Sequence, residues 1–183
     1  SMGGTALDLN DNDFVCEYGT SANPFTTIQG YVFTGYSSTS DPSKTGITSS
    51  TSQNDGGREI LVLFDNALIG APDWPPGSGN TILTNSVVGK YTYFGDLNFD
   101  GQVTGDDYGT IDANLNTTPA PGVAWIQGDA NLDGIVTGDD YGTIDATLGS
   151  GVGNPLGAAG GAVVPEPAAV VLAAGVLILR RRR

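Results

Sequence analysis

Residues 95–115 read GDLNFDGQVTGDDYGTIDANL and residues 128–148 read GDANLDGIVTGDDYGTIDATL, two copies that agree at 17 of 21 positions. Within them the undecapeptide VTGDDYGTIDA recurs without change, as Val103–Ala113 and again as Val136–Ala146. Each copy opens with D-x-N-x-D-G and places another carboxylate at the twelfth position. An oxygen-ligated calcium loop needs that spacing: side-chain oxygens at positions 1, 3 and 5, a backbone carbonyl at 7, and a direct or water-bridged contact at 9. A closing carboxylate stands at 12, and Gly at 6 permits the sharp turn. The expected ligands are Asp96, Asn98, Asp100, Gln102, Thr104 and Asp107 in the first loop, with Gly101 at the bend. In the second they are Asp129, Asn131, Asp133, Ile135, Thr137 and Asp140, with Gly134 at the bend. Three carboxylates drawn into one small volume repel one another, so two Ca2+ sites are expected to hold the loops closed.

A short helix should follow each loop. Thr104 and Thr137 stand as N-caps with Asp107 and Asp140 three residues on, an Asp form of the capping box. Tyr108, Ile111 and Leu115 then share one face, as do Tyr141, Ile144 and Leu148. The bland alternative, that Asp, Asn and Gly merely build turns, does not explain two copies that both carry the twelfth-position acid with no basic residue nearby.

On these residues, roughly 94–150, the chain resembles a type I dockerin, a calcium-dependent adaptor of two loop-helix halves related by a pseudo-twofold axis. The resemblance implies a cohesin-like protein, or another envelope protein, as partner. There is a departure: cellulosomal dockerins commonly carry Ser/Thr pairs at loop positions 10 and 11 and a basic residue near 17 and 18. The corresponding residues here are Gly105-Asp106 with Asp112-Ala113, and Gly138-Asp139 with Asp145-Ala146. The calcium chemistry carries over; a cellulosomal cohesin does not.

Charge points the same way. Residues 94–148 hold ten Asp and no Lys or Arg, in a chain of net charge −13 without His. That balance excludes a nucleic-acid footprint, which needs clustered bases, and the lack of imidazole removes nitrogen-ligated zinc. The single Cys16 lies in a strand-like alternation and reads as a small buried residue.

Residues 151–163 are Gly- and Ala-rich and read as a flexible linker. Beyond them come Val164-Pro-Glu-Pro, an apolar run to Leu179, and Arg180–Arg183. Twelve apolar residues rise only ~18 Å as a helix, short of the ~30 Å hydrocarbon core. A short motif, a marginal apolar segment and a basic stop form a tripartite signal that is removed. This tail resembles the PEP-CTERM sorting signal. The resemblance implies exosortase recognition, transient membrane contact through the tail, and delivery to the exterior or envelope of a bacterium with an outer membrane.

Residues 1–4 read as a cloning remnant, and 5–93 as a mainly β module. Its strand candidates are Ala6–Leu9, Phe14–Tyr18, 59–68 and 86–94, while Pro24–Thr34 fits either helix or strand. Asp8–Asp13 begins like a third calcium loop but has Asp13 where Gly is needed, so a polar turn is the better reading. Trp74 is open between sugar stacking and packing, and Trp125 is expected to anchor the two repeat halves together. The fold expected is multi-part: a mainly β N-terminal module, a small all-α loop-helix pair at 94–150, and a C-terminal hydrophobic helix. The function expected is a calcium-dependent interaction module, not an enzyme, on a secreted or surface-displayed bacterial protein. The alternatives are a calcium-stabilised stalk or adhesin segment, or an accessory region of an upstream carbohydrate-active enzyme.

Overall fold

The computed structural model describes residues 5–156. The expectations on residues 1–4, on 164–183 and on most of the linker lie outside them. Its centre is a three-stranded antiparallel sheet in the order β2-β5-β4, comprising β2 (Phe14–Glu17), β5 (Ser86–Tyr93) and β4 (Glu59–Asp65). β4 pairs with β5 from Glu59↔Tyr93 to Asp65↔Val87. A parallel pair, β1 (Ala6–Asp8) with β3 (Gly46–Thr48), stands beside it.

Every residue of β4 is buried, because both of its faces are covered. Successive strand side chains point to opposite faces, so Leu61 and Leu63 join Val87, Tyr91, Phe25 and Val32 on one side. Ile60 and Val62 go to the other, where they share a core with Leu97, Val103, Ile111, Trp125, Ala130, Val136 and Ile144. Those last seven residues all belong to the repeat region.

The shared core overturns the expected fold class. The chain is mixed α/β, with five α-helices and two sheets among the described residues. It does not consist of a mainly β module followed by a small all-α pair. The repeat helices α4 (Gly105–Asn114) and α5 (Asp140–Thr147) bury Ile111 and Ile144 in the cluster that also takes in the sheet's Ile60 and Val62. The front half itself carries three helices. Pro24–Thr34 resolves as α1 (Phe25–Gly35), whose Phe25 and Val32 face the sheet core with Ile28 beside them. α2 (Ser50–Asn54) is capped by Ser49, which accepts from the Ser52 amide at 3.0 Å. α3 (Asn66–Ile69) cuts short the strand expected over 59–68, because the Asp65 carboxylate accepts from the Ala67 amide at 3.0 Å and starts a helix. No helix among the described residues is long and apolar enough to cross a membrane, and the expected C-terminal hydrophobic helix falls outside them.

At the start of β4, Glu59 is buried and its Oε2 has no hydrogen-bond partner among the described residues. Burial, reinforced by the neighbouring Asp55 carboxyl, pushes it up to about 7 from 4.5. A carboxyl raised in this way stabilises the fold while protonated. Its contribution is complete below about pH 4.5 and is lost as pH rises through about 7. In saturating calcium, the protein should therefore lose on the order of 2 kcal/mol of stability between pH 5 and pH 8, and Glu59→Gln should remove most of the slope. Thermal melts across that range check this; a wild-type profile as flat as the variant's contradicts it.

Candidate metal centre

The first loop bends three side chains back over its own amides. Asp96 Oδ2 accepts from the Gly101 amide at 3.0 Å, Asn98 Oδ1 from Asp100 at 2.9 Å, and Asp100 Oδ1 from Gln102 at 2.9 Å. The closing carboxylate of Asp107 accepts from the Leu97, Asn98 and Thr104 amides at 2.8, 3.3 and 2.9 Å. The second loop repeats the pattern. Asp129 accepts from Asp133 and Gly134, both at 3.0 Å, Asn131 from Asp133 at 2.9 Å, and Asp133 from Ile135 at 3.0 Å. Asp140 accepts from Ala130, Asn131 and Thr137 at 2.7, 3.1 and 2.8 Å. Phe99 and Leu132, the fourth residues, both take left-handed backbone (φ 64° and 61°), as do Gly101 and Gly134 (φ 80° and 94°).

The expected ligands therefore fall on two turns of closely similar hydrogen bonding, with differences in detail. Gln102 and Ile135 keep their backbone carbonyls for the seventh position, and the Ile135 side chain is exposed. The ninth-position hydroxyls are engaged at the helix starts: Thr104 accepts from the Asp106 amide at 3.4 Å, and Thr137 donates to Asp139. The capping box at Thr104 is complete, whereas α5 begins at Asp140 with no side-chain cap. Leu115 and Leu148, expected on the packed helix face, are the C-cap residues and lie 43% and 56% exposed.

The halves interlock. After α4 the chain pairs with the second loop, through Asn116 N to Val136 O at 2.7 Å and Val136 N to Thr117 O at 2.9 Å. After α5 it pairs with the first, through Gly149 N to Val103 O and Val103 N to Ser150 O, both at 2.9 Å. Tyr108 and Tyr141 stack with centroids 6.1 Å apart, each hydroxyl donating at 2.5 Å to the other half's acid, Asp145 and Asp112 respectively. Trp125, 1% exposed, sits in the core between both halves, and its indole donates to the Asp96 carbonyl at 2.6 Å.

Among the described residues, no three His, Cys, Asp or Glu side chains gather closely enough to hold a metal ion by themselves. A calcium loop does not require that, since amide and backbone oxygens complete its shell of 6–8 ligands. The test of fit is Asp96. This residue is fully buried, and among the described residues its Oδ1 has no hydrogen-bond partner. Burial, with the Asp107 and Asp100 charges acting in the same direction, pushes its carboxyl up to about 6 against the hydrogen bonds from Thr92 and Gly101. Burial likewise raises Asp129, with Asp140 and Asp133 adding to it. Oxygen-only donor sets strained by their own negative charge fit a hard divalent cation.

Three participants were not visible in the spacing. Thr92 of β5 donates to Asp96, Leu156 donates its amide to Gly101 O at 3.0 Å, and Asp139 accepts from the Asn131 side chain at 3.1 Å. The remaining candidates resolve as structure. Trp74 is 8% exposed, packs against Phe64 at 5.0 Å, and donates to Asp13 at 3.1 Å. Asp8 holds a turn, accepting from the Asn10 and Ser50 amides at 3.0 Å. Cys16 is a free, half-buried thiol against the sheet core.

Comparison of the chain with family models, curated proteins and solved structures finds no match.

Proposed function

We propose that the paired loops bind two calcium ions through Asp96, Asn98, Asp100 and Asp107 and through Asp129, Asn131, Asp133 and Asp140. Gln102 and Ile135 add backbone carbonyls, and Thr104 and Thr137 act through bridging water. The orphaned Asp96 Oδ1 carries this reading: unlike Glu59 Oε2, it lies beside the Asp100 and Asp107 carboxylates at calcium-loop spacing, and a buried oxygen donor set of that charge calls for a cation. Calcium here is structural first: the loops close the same core that includes Ile60 and Val62 of the sheet. The resemblance of the tail to a PEP-CTERM signal supports a secreted or surface-displayed bacterial protein handled by an exosortase, where millimolar calcium suits such sites.

A second role, calcium-dependent docking on a cohesin-like or other envelope protein, is favoured by the exposed two-fold arrangement of Tyr108–Asp145 and Tyr141–Asp112. No catalytic step is assigned to either loop. Calorimetric titration of the chelator-stripped protein should show uptake of two calcium ions, and an absence of heat with no change in melting temperature overturns the calcium reading. Capture from envelope extract with and without calcium then separates the roles. A purely structural pair retains no specific partner, whereas a docking pair retains one only with calcium.

A further inference from the structure

The two twelve-residue loops agree at nine positions, yet the fold treats them differently. Alternation along β5 puts Val88, Lys90 and Thr92 on the side that meets the repeats, because they pair with Phe64, Val62 and Ile60 in register. Thr92, fully buried, donates its hydroxyl to Asp96 Oδ2, which also receives the Gly101 amide. That oxygen is fixed, and the partnerless Oδ1 is the one left for a cation. Trp125 fixes the same residue from behind through its carbonyl, and Leu156 N closes on Gly101 O at 3.0 Å. A side chain at Gly101 would strike the Leu156 carbonyl oxygen at 2.1 Å, so the last described residue lies directly on the bend.

Among the described residues, the second loop has none of these external holds. Both oxygens of Asp129 are taken by amides of the loop itself, and the space beside Gly134 is open. Its added contact, Asp139, comes from the start of its own helix. Leu132 and its counterpart Phe99 both pack on the shared core, and Phe99 alone of the two also joins Phe64 and Trp74 over the sheet.

Resting on the calcium reading above, we infer that the loops are unequal: the first is a calcium latch that ties together the sheet, the repeat pair and the segment from Gly149 to Leu156, with Thr92 as its positioning residue. The second is a local site that orders its own helix. A hydroxyl that orients a metal-binding carboxylate from outside its shell is typically worth 10–100-fold in metal affinity. Thr92 supplies that orientation to one site only.

The experiment is calcium calorimetry on the full chain in two backgrounds, Asp133→Ala to leave the first loop and Asp100→Ala to leave the second. Thr92→Val is expected to weaken the first site about 10-fold while leaving the second within twofold, and Thr92→Ser should restore the first. A near-UV signal from the Phe99–Trp74 cluster should respond to filling of the first loop and not of the second. A merely structural Thr92 lowers the melting temperature with and without calcium alike and leaves both affinities unchanged; that result overturns the inference, as does equal weakening of both sites. Absence of calcium uptake by the unmodified chain overturns the calcium reading and the latch with it. Uptake with unchanged affinities in Thr92→Val overturns the latch alone.

Discussion

Stripping calcium with a chelator is expected to lower the melting temperature by roughly 10–20 °C. A ligand present at 100 times its dissociation constant adds about 2.7 kcal/mol per site, so two sites supply about 5 kcal/mol. For a chain of this size each kcal/mol moves the midpoint by about 2–4 °C. By size alone, a unit as small as residues 94–150 would be expected to unfold by itself when calcium is removed. The shared core changes that expectation, since Ile60 and Val62 lose their packing partners when Val103, Ile111, Val136 and Ile144 loosen. Far-UV helical signal and the near-UV signal of Trp74, which packs on β4 through Phe64, should therefore fall together on chelation. Loss of helix with an unchanged Trp74 environment shows the pair melting as an independent body, and an unchanged melt in chelator overturns the stabilising role itself.

How far the sequence carried this result depended on whether the information was local. A calcium loop is written in twelve consecutive residues, so the turns at Asp96–Asp107 and Asp129–Asp140 were legible from spacing, down to the Gly bends. The strands were legible for the same reason: Phe14–Glu17, Glu59–Asp65 and Ser86–Tyr93 lie inside the apolar stretches that suggested them. The architecture was not. Glu59–Asp65 reads EILVLFD without alternation, and an apolar strand without alternation is one covered on both faces. That signal was present and points to a second layer, which the repeat helices supply. Thr92 was beyond reach, because its approach to Asp96 depends on the register of β4 against β5 and on the turn at Phe94-Gly95. Leu115 and Leu148 continued the helix period on paper, but each helix ends at that residue, where the backbone turns extended and the side chain is left outside. Asp65 shows the reverse case, a capping acid inside an apparent strand whose local chemistry stops β4 and begins α3.

Trp125→Ala is expected to be the most damaging single substitution, at about 4 kcal/mol, in the range measured for truncating a buried large aromatic side chain. The indole is 1% exposed, meets Phe94 with centroids 6.3 Å apart, and belongs to the cluster containing both repeat halves and β4. Its removal leaves a cavity bordered by three parts of the structure at once, so no one part can collapse into it without moving another. It also strips the Asp96 carbonyl of a donor at 2.6 Å, and a buried carbonyl left unpaired costs about 1–3 kcal/mol on its own. Trp125→Phe separates the two contributions: it retains most of the apolar contact and lacks the donor. Its cost should fall near 2 kcal/mol and depend on calcium, because the lost hydrogen bond supports the residue that carries the first ligand. Trp125→Ala should be costly with or without calcium, since most of its loss is packing. Denaturant melts of both variants in calcium and in chelator measure the difference. If Trp125→Phe costs the same in each, the indole serves only the core, and its hydrogen bond to Asp96 has no part in holding the metal.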